Sequence, residues 1–222
     1  MIRAALIDLD GTLLDTAPDI AAAANATLAE LGMRQIDAGE VRDFIGKGIG
    51  PLVRRCLESA AGRAPDEPLY ASALERFTLH YERLNGTSSR IYPGVEQGLA
   101  AMKARGLRLA CVTNKASRFT TALLASSRLA DFFDRVVTSD RAGRRKPDPA
   151  PYLLACRELR VAPPEAVVIG DSANDAEGGQ RAGCRVLLVP YGYREGQDIR
   201  GIECDGIVAS LIDAANLLSP QS

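Results

Sequence analysis

Short apolar runs alternate with stretches of helical periodicity along most of the chain. The runs are bounded by turn residues and are short enough to be strands buried on both faces of a sheet. They cover residues 4–7, 107–112, 166–169 and 186–189, with a shorter run around 136–137. Strands that alternate with helices predict an α/β fold with a parallel sheet and right-handed connections.

One long helical stretch interrupts this alternation directly after the first strand. From Thr16 to about Arg90, apolar residues recur at helical spacing, and no run has the pattern of a strand. Helices are predicted there over residues 16–32, 52–60 and 69–84. We therefore expect an α/β core of residues 1–15 and 91–222, and an all-helical cap domain of residues 16–90, called the helical insertion below. Such an insertion can close over the strand ends as a lid and exclude water.

Polar side chains of complementary kinds follow several of the predicted strands. They are Asp8 and Asp10 after the first strand, Thr113 and Asn114 after the second, and Asp171 and Asp175 after the strand at 166–169. Lys146 lies in a loop before another predicted helix. The carboxyl ends of parallel strands share one edge of the sheet, where ligands bind in open α/β folds. We therefore expect these side chains to meet at one site.

The two aspartates after the first strand are central to the chemistry. Asp8 and Asp10 can lean to the same side of the strand, about 7 Å apart at the backbone, where two acids repel each other. A bound cation would remove that repulsion, or one acid could be ionised and the other protonated. A strand end capped by Asx turns is the structural alternative. Oxygen ligands with few other donors suit Mg²⁺. The donors of Lys146, Thr113 and Asn114 suit the oxygens of a transferring phosphoryl group.

A glycine-rich loop lies between the first two predicted helices of the helical insertion. Residues 44–51 contain three glycines around Lys47. The exposed backbone N–H groups and the positive charge suit an anionic substrate, which makes Lys47 and Gly48 candidates for substrate binding. An ordinary glycine-rich connector with a solvated lysine explains the pattern equally well.

Composition and charge narrow the classes of function. The 222 residues carry a net charge of −1, so no overall field attracts nucleic acid or an anionic membrane. No apolar run approaches the roughly 18 residues of a membrane span. Five scattered cysteines without a CxxC pair favour reduced thiols in a cytoplasmic protein over a disulfide framework or a zinc site. His80 is the only histidine, and we expect it to be a surface or packing residue.

Four motifs in order resemble those of the haloacid dehalogenase-like hydrolases, and of the phosphatase branch in particular. They are DLDGT at 8–12, VTN at 112–114, the lysine of RKPDP at 146, and GDSANDA at 170–176. The helical insertion after the first motif resembles the small-cap class of that family. Within the family, DTAPD at 15–19, IGKGIGPLV at 45–53, VTNK at 112–115 and VPYGYREG at 189–196 are most similar to bacterial phosphoglycolate phosphatases.

The resemblance implies an α/β fold whose core is a Rossmann-like, doubly wound parallel sheet. It also implies hydrolysis of a phosphate monoester through an aspartyl-phosphate on Asp8. Asp8 would attack phosphorus, and Asp10 would protonate the leaving oxygen and then deprotonate the attacking water. Mg²⁺, held by Asp8, Asp171 and the carbonyl of Asp10, would offset the repulsion between the nucleophile and the phosphate. Thr113 and Lys146 would hold phosphoryl oxygens. An outer residue, Asp175, would orient a metal-bound water or Lys146.

The favoured substrate is 2-phosphoglycolate, a small anionic compound whose carboxylate needs a second cationic contact. Lys47 and Lys115 are the candidates for that contact. Another small phosphate, such as N-acetylmuramic acid 6-phosphate or pyrophosphate, remains open, as does a phosphomutase of the β-phosphoglucomutase type. The insertion has no histidine just after Asp15 to position a sugar, which lowers the mutase alternative. A non-catalytic phosphate sensor would be expected to lose Asp8 or Asp10. The sequence predicts no nucleic-acid or membrane partner, and either a monomer or a homodimer fits it.

Overall fold

The computed structural model describes residues 1–194 and 196–218, and a parallel sheet of six strands forms its centre. In chain order the strands are β1 (Ala4–Ile7), β2 (Leu14–Asp15), β3 (Arg90–Ile91), β4 (Arg108–Thr113), β5 (Arg135–Thr138), β6 (Ala166–Gly170), β7 (Arg185–Leu188) and β8 (Gly206–Ile207). The order in the central sheet is β5-β4-β1-β6-β7-β8, and β2 pairs with β3 in a separate antiparallel ribbon.

Helices connect the strands of this sheet and also fill the helical insertion. Those of the insertion are α1 (Ala17–Glu30), α2 (Ala38–Arg42), α3 (Ile49–Ala61) and α4 (Glu67–Leu84). Those of the core are α5 (Val95–Ala104), α6 (Ser117–Ser126), α7 (Ser139–Ala142), α8 (Ala150–Leu159), α9 (Ala173–Ala182) and α10 (Leu211–Leu217). Within the described residues, no helix is both long enough and apolar enough to cross a membrane.

Strand β1 is the centre of the sheet and brings the predicted site together. It pairs with β4 on one side and β6 on the other, with Ile7 opposite both Cys111 and Ile169. Its four residues are fully buried. Alternate side chains enter different clusters, Ala5 and Ile7 on one face of the sheet and Ala4 and Leu6 on the other. The sheet is therefore covered on both faces, which confirms the predicted doubly wound α/β fold.

The helical insertion has a hydrophobic cluster of its own. Helix α1 lies along α4, and apolar side chains of α1, α3 and α4 pack together with Phe119 and Tyr193 of the core. The two chain connections between the insertion and the core lie side by side, because β2, which leads into the insertion, pairs with β3, which leads out of it. Asp19 of α1 holds residues 86–89, called the exit segment below because they lead from the insertion back to the core. Its carboxylate accepts five hydrogen bonds from them.

Several elements differ from the sequence-based expectation. Helix α3 begins at Ile49 and not at residue 52, because a proline at position 51 is tolerated in the first helical turn, where N–H groups have no intrahelical partner. The short elements α2, β2, β3, β8 and α10 were not predicted, since each is too brief to show a period. Glu195 and residues 219–222, which the expected core includes, lie outside the described residues.

Candidate active site

Asp8 lies at the end of β1 and is held against a buried lysine. Its backbone N–H still donates to the Ile169 carbonyl at 2.9 Å, so it continues the parallel ladder. Lys146 Nζ donates to Asp8 Oδ1 at 2.5 Å, to Asp175 Oδ1 at 2.7 Å and to the Val112 carbonyl at 3.0 Å. All three charged side chains are buried. Lys146 therefore has a partner for each of its three N–H bonds, which fixes the ammonium beside the carboxylate of Asp8.

Asp175 is committed to Lys146 and its surroundings. Its carboxylate also accepts from the Tyr152 hydroxyl at 2.9 Å and the Ser172 hydroxyl at 2.7 Å. Burial acts to raise the pKa of Asp175, but Lys146 and these hydrogen bonds outweigh it and hold the pKa below its usual range. Asp175 thus stays ionised and holds the Lys146 ammonium at 2.7 Å.

Asp171 is enclosed by two glycines that allow its close approach to the backbone. Thr12 Oγ1 donates to Asp171 Oδ1 at 2.8 Å, and the N–H of Tyr193 donates to Oδ2 at 2.5 Å. A Cβ atom at Gly11 or at Gly192 would overlap this carboxylate, and Gly11 also has a φ of +90°. Glycine is therefore required at Gly11 on two counts, backbone conformation and space.

The acidic groups carry more negative charge than the lysines neutralise. Carboxylate oxygens of Asp8, Asp171 and Asp175 lie within 4.8 Å of one another. With Asp10 there are four carboxylates for two ammonium groups, Lys115 and Lys146. Burial raises the pKa of Asp8 to about 7 against the opposing effect of Lys146, and burial with Asp8 nearby raises the pKa of Asp171. A divalent cation with oxygen ligands fits this donor set, because it removes the excess charge.

Asp10 contacts both the core and the start of the helical insertion. Its Oδ1 accepts from Lys115 Nζ at 2.8 Å and from the hydroxyl of Thr16 at 2.7 Å. Thr16 stands at the N-cap of α1, yet its hydroxyl makes no capping bond and serves Asp10 instead. Burial lowers the pKa of Lys115, but Asp10 outweighs this effect and raises it, so the ammonium stays charged. Asp10 is therefore placed by two donors in the same cavity as Asp8.

Asn114 joins the core to the glycine-rich loop. Its amide donates to the Gly46 carbonyl at 2.8 Å and to the Lys146 carbonyl at 3.0 Å, and its oxygen accepts from the Lys146 N–H at 2.8 Å. These bonds already use both amide N–H groups. Thr113, in contrast, is buried at the cavity wall, and its hydroxyl accepts from the Lys115 N–H at 3.2 Å, which leaves the O–H free to donate.

A cavity of about 460 Å³ lies between the strand ends and the helical insertion. The charged residues above line its floor, and side chains of α1, α3 and α4 line an apolar wall. Gly46 and Gly48 border the cavity, whereas the exposed side chain of Lys47 is not among its lining residues. Arg145 also borders it, as does Arg118, which was not singled out from the sequence. The lone histidine, His80, lies outside the lining and contacts Glu30 at 3.1 Å.

Tyr193 is a site residue that the sequence did not indicate by its chemistry. Its hydroxyl accepts from the N–H groups of Thr16 at 2.6 Å and Ala17 at 2.9 Å, and it donates to Asp15 at 2.6 Å. Its own N–H holds Asp171, so one residue connects the acidic cluster to the start of the helical insertion. The signal was the VPYGY stretch, which carried the resemblance but no assigned role.

The fold and the motifs define the class of protein. The model of the family described as haloacid dehalogenase-like hydrolase matches residues 5–189, and the chain belongs to that family. Members of this family generally use a divalent metal, which agrees with the excess of carboxylates at the floor.

The individual relatives point to one branch of the family. The chain is 47% identical to a phosphoglycolate phosphatase of Nitrosospira multiformis, over 100% of this chain and 97% of that one. It is 44% identical to a phosphoglycolate phosphatase of Thiobacillus denitrificans, over 98% and 96% of the two chains. Among solved structures, a predicted phosphoglycolate phosphatase from Haemophilus somnus is 29% identical, with a TM-score of 0.93 over 98% of each chain. CbbY of Rhodobacter sphaeroides, solved with phosphate, is 30% identical, with a TM-score of 0.79 over 96% of each chain.

Proposed function

We propose that this chain is a Mg²⁺-dependent phosphatase that hydrolyses 2-phosphoglycolate to glycolate and phosphate. The observation that carries the proposal is Asp8, a buried carboxylate paired with Lys146 on the floor of a cavity that also contains Asp10. The relatives named phosphoglycolate phosphatase support the choice of substrate. The five cysteines are free thiols, which supports a reducing, cytoplasmic location.

In the proposed reaction Asp8 attacks phosphorus and becomes an aspartyl-phosphate. The Thr113 hydroxyl holds a phosphoryl oxygen, and the Lys146 ammonium, whose N–H bonds go to Asp8, Asp175 and the Val112 carbonyl, stabilises the growing negative charge electrostatically. Asp10 gives a proton to the leaving glycolate oxygen and then accepts one from the water that hydrolyses the acyl-phosphate. The rigid pairing of Lys146 with Asp8 and Asp175 keeps these groups in place during both steps.

The metal would be held by Asp8, Asp171 and the backbone carbonyl of Asp10. When bound, Mg²⁺ supplies positive charge that lets an anionic carboxylate approach a phosphate dianion. Asp171 suits this role because Thr12 and the Tyr193 N–H fix its carboxylate at the edge of the cluster. Asp175 is excluded from our ligand set because its oxygens already serve Lys146, Tyr152 and Ser172.

We infer that the helical insertion, residues 16–90, acts as a cap over the core of residues 1–15 and 91–222. Contacts from Gly46 to Asn114 and from Arg42 to the carbonyls of Tyr191 and Gly192 support this role. We propose that the glycolate part of the substrate contacts Lys115, Lys47 and the N–H of Gly48. Asn114 would hold the glycine-rich loop that contains Gly48 close to Lys146.

Phosphate release from a panel of substrates tests the proposed function. The panel contains 2-phosphoglycolate, hexose phosphates, N-acetylmuramic acid 6-phosphate, pyrophosphate and nucleotides, each with and without Mg²⁺. We expect Mg²⁺-dependent release that is fastest on 2-phosphoglycolate and falls about 10⁴-fold or more in Asp8→Asn. Faster release from another compound would keep the reaction and replace the substrate. No release without a sugar bisphosphate would favour the mutase.

A further inference from the structure

The hydroxyl of Tyr81 is a buried polar group at the wall of the cavity. Tyr81 lies in the last turn of α4, is 1% exposed and lines the cavity. The Lys115 ammonium lies near this oxygen, but the hydroxyl has no hydrogen-bond partner of normal geometry among the described residues. Buried hydroxyl groups are nearly always paired, because leaving one unpaired costs free energy. An unpaired hydroxyl at a cavity wall therefore points to a ligand atom as its partner.

The ring of Tyr81 is held in one position by its neighbours. It stacks on Phe77 with ring centres 5.6 Å apart and meets Phe119 of the core at 4.9 Å. Lys115 Nζ lies 4.9 Å from the ring centre. An aromatic side chain fixed in this way presents its hydroxyl without further loss of conformational entropy.

The neighbours of Tyr81 also define how far this hydroxyl is from the reaction. Lys115 Nζ lies beside the Tyr81 ring and donates to Asp10 Oδ1 at 2.8 Å. Asp10 is the group that gives a proton to the leaving oxygen under the proposed function. A substrate atom that contacts Lys115 and Tyr81 is therefore only a few bonds from the leaving oxygen. In 2-phosphoglycolate a single methylene group separates that oxygen from a carboxylate.

We propose that Tyr81 of the helical insertion, together with Lys115 of the core, binds the carboxylate of the leaving group. The assignment rests on the proposed function and goes beyond it, since it names the residue of the insertion that selects a carboxylate-bearing phosphate. Lys115 supplies charge and Tyr81 supplies a directed hydrogen bond. Because the two residues come from different parts of the fold, the pair is complete only when the insertion is closed over the core.

Tyr81→Phe tests the proposal, because it removes the hydroxyl and keeps the ring. We expect kcat/KM for 2-phosphoglycolate to fall roughly tenfold or more, as for the loss of a hydrogen bond to a charged group. The fall should appear mainly as a higher KM. Ethyl phosphate has no carboxylate, and its kcat/KM should change far less. Tyr92→Phe is the matched control, because its hydroxyl is also buried with no partner of normal geometry in the described part of the chain, and Tyr92 does not line the cavity.

The outcomes separate binding of the carboxylate from a structural role. An equal fall for both substrates would overturn the proposal, since Tyr81 would then act through Asp10 or through the fold. No fall for 2-phosphoglycolate would overturn it as well.

A binding measurement distinguishes this proposal from the proposed function. Calorimetric titration of Asp8→Asn with 2-phosphoglycolate and Mg²⁺ should give a Kd that rises roughly tenfold when Tyr81→Phe is added. An unchanged Kd overturns the carboxylate subsite even if the wild-type enzyme hydrolyses 2-phosphoglycolate. A raised Kd supports the subsite even if the wild-type enzyme hydrolyses other phosphates faster, in which case only the assigned substrate fails.

Discussion

The floor of the cavity is held together by buried charged groups, whereas the wall above it is held by apolar packing. On the floor, Asp8, Lys146 and Asp175 are buried, charged and bonded to one another at 2.5 and 2.7 Å. The wall is apolar and comes from the helical insertion. It contacts the core through apolar packing on Phe119 and Tyr193 and through polar bonds such as that from Asn114 to Gly46 at 2.8 Å. The difference indicates that the chemistry depends on fixed strand ends, whereas the choice of substrate depends on how the insertion packs.

Lys146→Met should give the largest effect, because it leaves two buried carboxylates without their cation. We expect a loss of about 3–5 kcal/mol in the free energy of unfolding. We also expect kcat to fall about 10²–10³-fold. Lys103→Met is the matched control, since the Lys103–Asp134 pair at 3.1 Å is more than a third exposed on both sides and should cost under about 1 kcal/mol. If denaturant titrations gave equal losses of unfolding free energy for the two variants, the buried charges of the floor would contribute no more to stability than an exposed ion pair. That result would contradict the account.

Gly192→Ala should disturb the floor by steric overlap alone. A Cβ atom at this position would overlap the carboxylate of Asp171, which Thr12 and Tyr193 hold in place. We expect a cost of about 1–3 kcal/mol in stability, and a higher Mg²⁺ concentration for half-maximal activity. Gly201→Ala is the control, because open space surrounds that position. If both variants needed the same Mg²⁺ concentration, the position of Asp171 would not govern metal binding.

Asp19→Asn should loosen the connection of the insertion and leave the floor intact. Burial acts to raise the pKa of Asp19, but the bonds from residues 86–89 outweigh it and lower the pKa below 3.8. A carboxyl group whose pKa is lower in the folded state than in the unfolded state stabilises the fold at pH values above its ordinary pKa. That stability is lost as the pH falls through the pKa of the folded state. We expect a cost of about 2 kcal/mol at pH 7, because an amide N–H₂ group would face several N–H and O–H donors.

The pH series sharpens this prediction. The difference in unfolding free energy between wild type and Asp19→Asn should shrink as the pH falls below about 4, where the wild-type carboxyl becomes protonated. Asp66→Asn is the control, since Asp66 is exposed and accepts a single N–H bond, from Leu69, at 2.9 Å. A difference that stays constant down to pH 2 would show that the charge of Asp19 has no part in holding the exit segment.

Lys47→Ala should have the smallest effect. Lys47 is exposed and does not itself line the cavity, although Gly46 and Gly48 beside it do, so the charge it offers the substrate is screened by solvent. We expect KM for 2-phosphoglycolate to rise a few-fold, and to rise more than KM for ethyl phosphate. An unchanged ratio of the two KM values would remove Lys47 from the binding site and leave Lys115 as the remaining lysine candidate.

The meeting of the floor residues at one edge of the sheet could be expected from the sequence because most of them follow strands. The parallel register that places Ile7 opposite Cys111 and Ile169 carries Asp8, Thr113 and Asp171 to one edge, and apolar runs reveal such strands. The membership of the family, inferred from four motifs, is confirmed.

The wall and its contacts were harder to predict from sequence. Nothing in the local pattern shows that Tyr81 of α4 stacks on Phe119, or that Tyr193 bonds Asp171 and Thr16 at once, because these contacts join residues far apart in the chain. The exposure of Lys47 depends on the path of the loop before α3. That path could not be predicted, because the glycines of the loop allow many backbone conformations.

The most direct test of the account is to find the phosphoryl group on Asp8. Enzyme mixed with 2-phosphoglycolate and Mg²⁺ would be quenched in acid within one turnover, reduced with borohydride to convert an acyl-phosphate into homoserine, and digested for mass spectrometry. The account predicts homoserine at position 8 in wild type and none there in Asp8→Asn. Homoserine at position 10 instead, or no reduced residue despite rapid phosphate release, would contradict it.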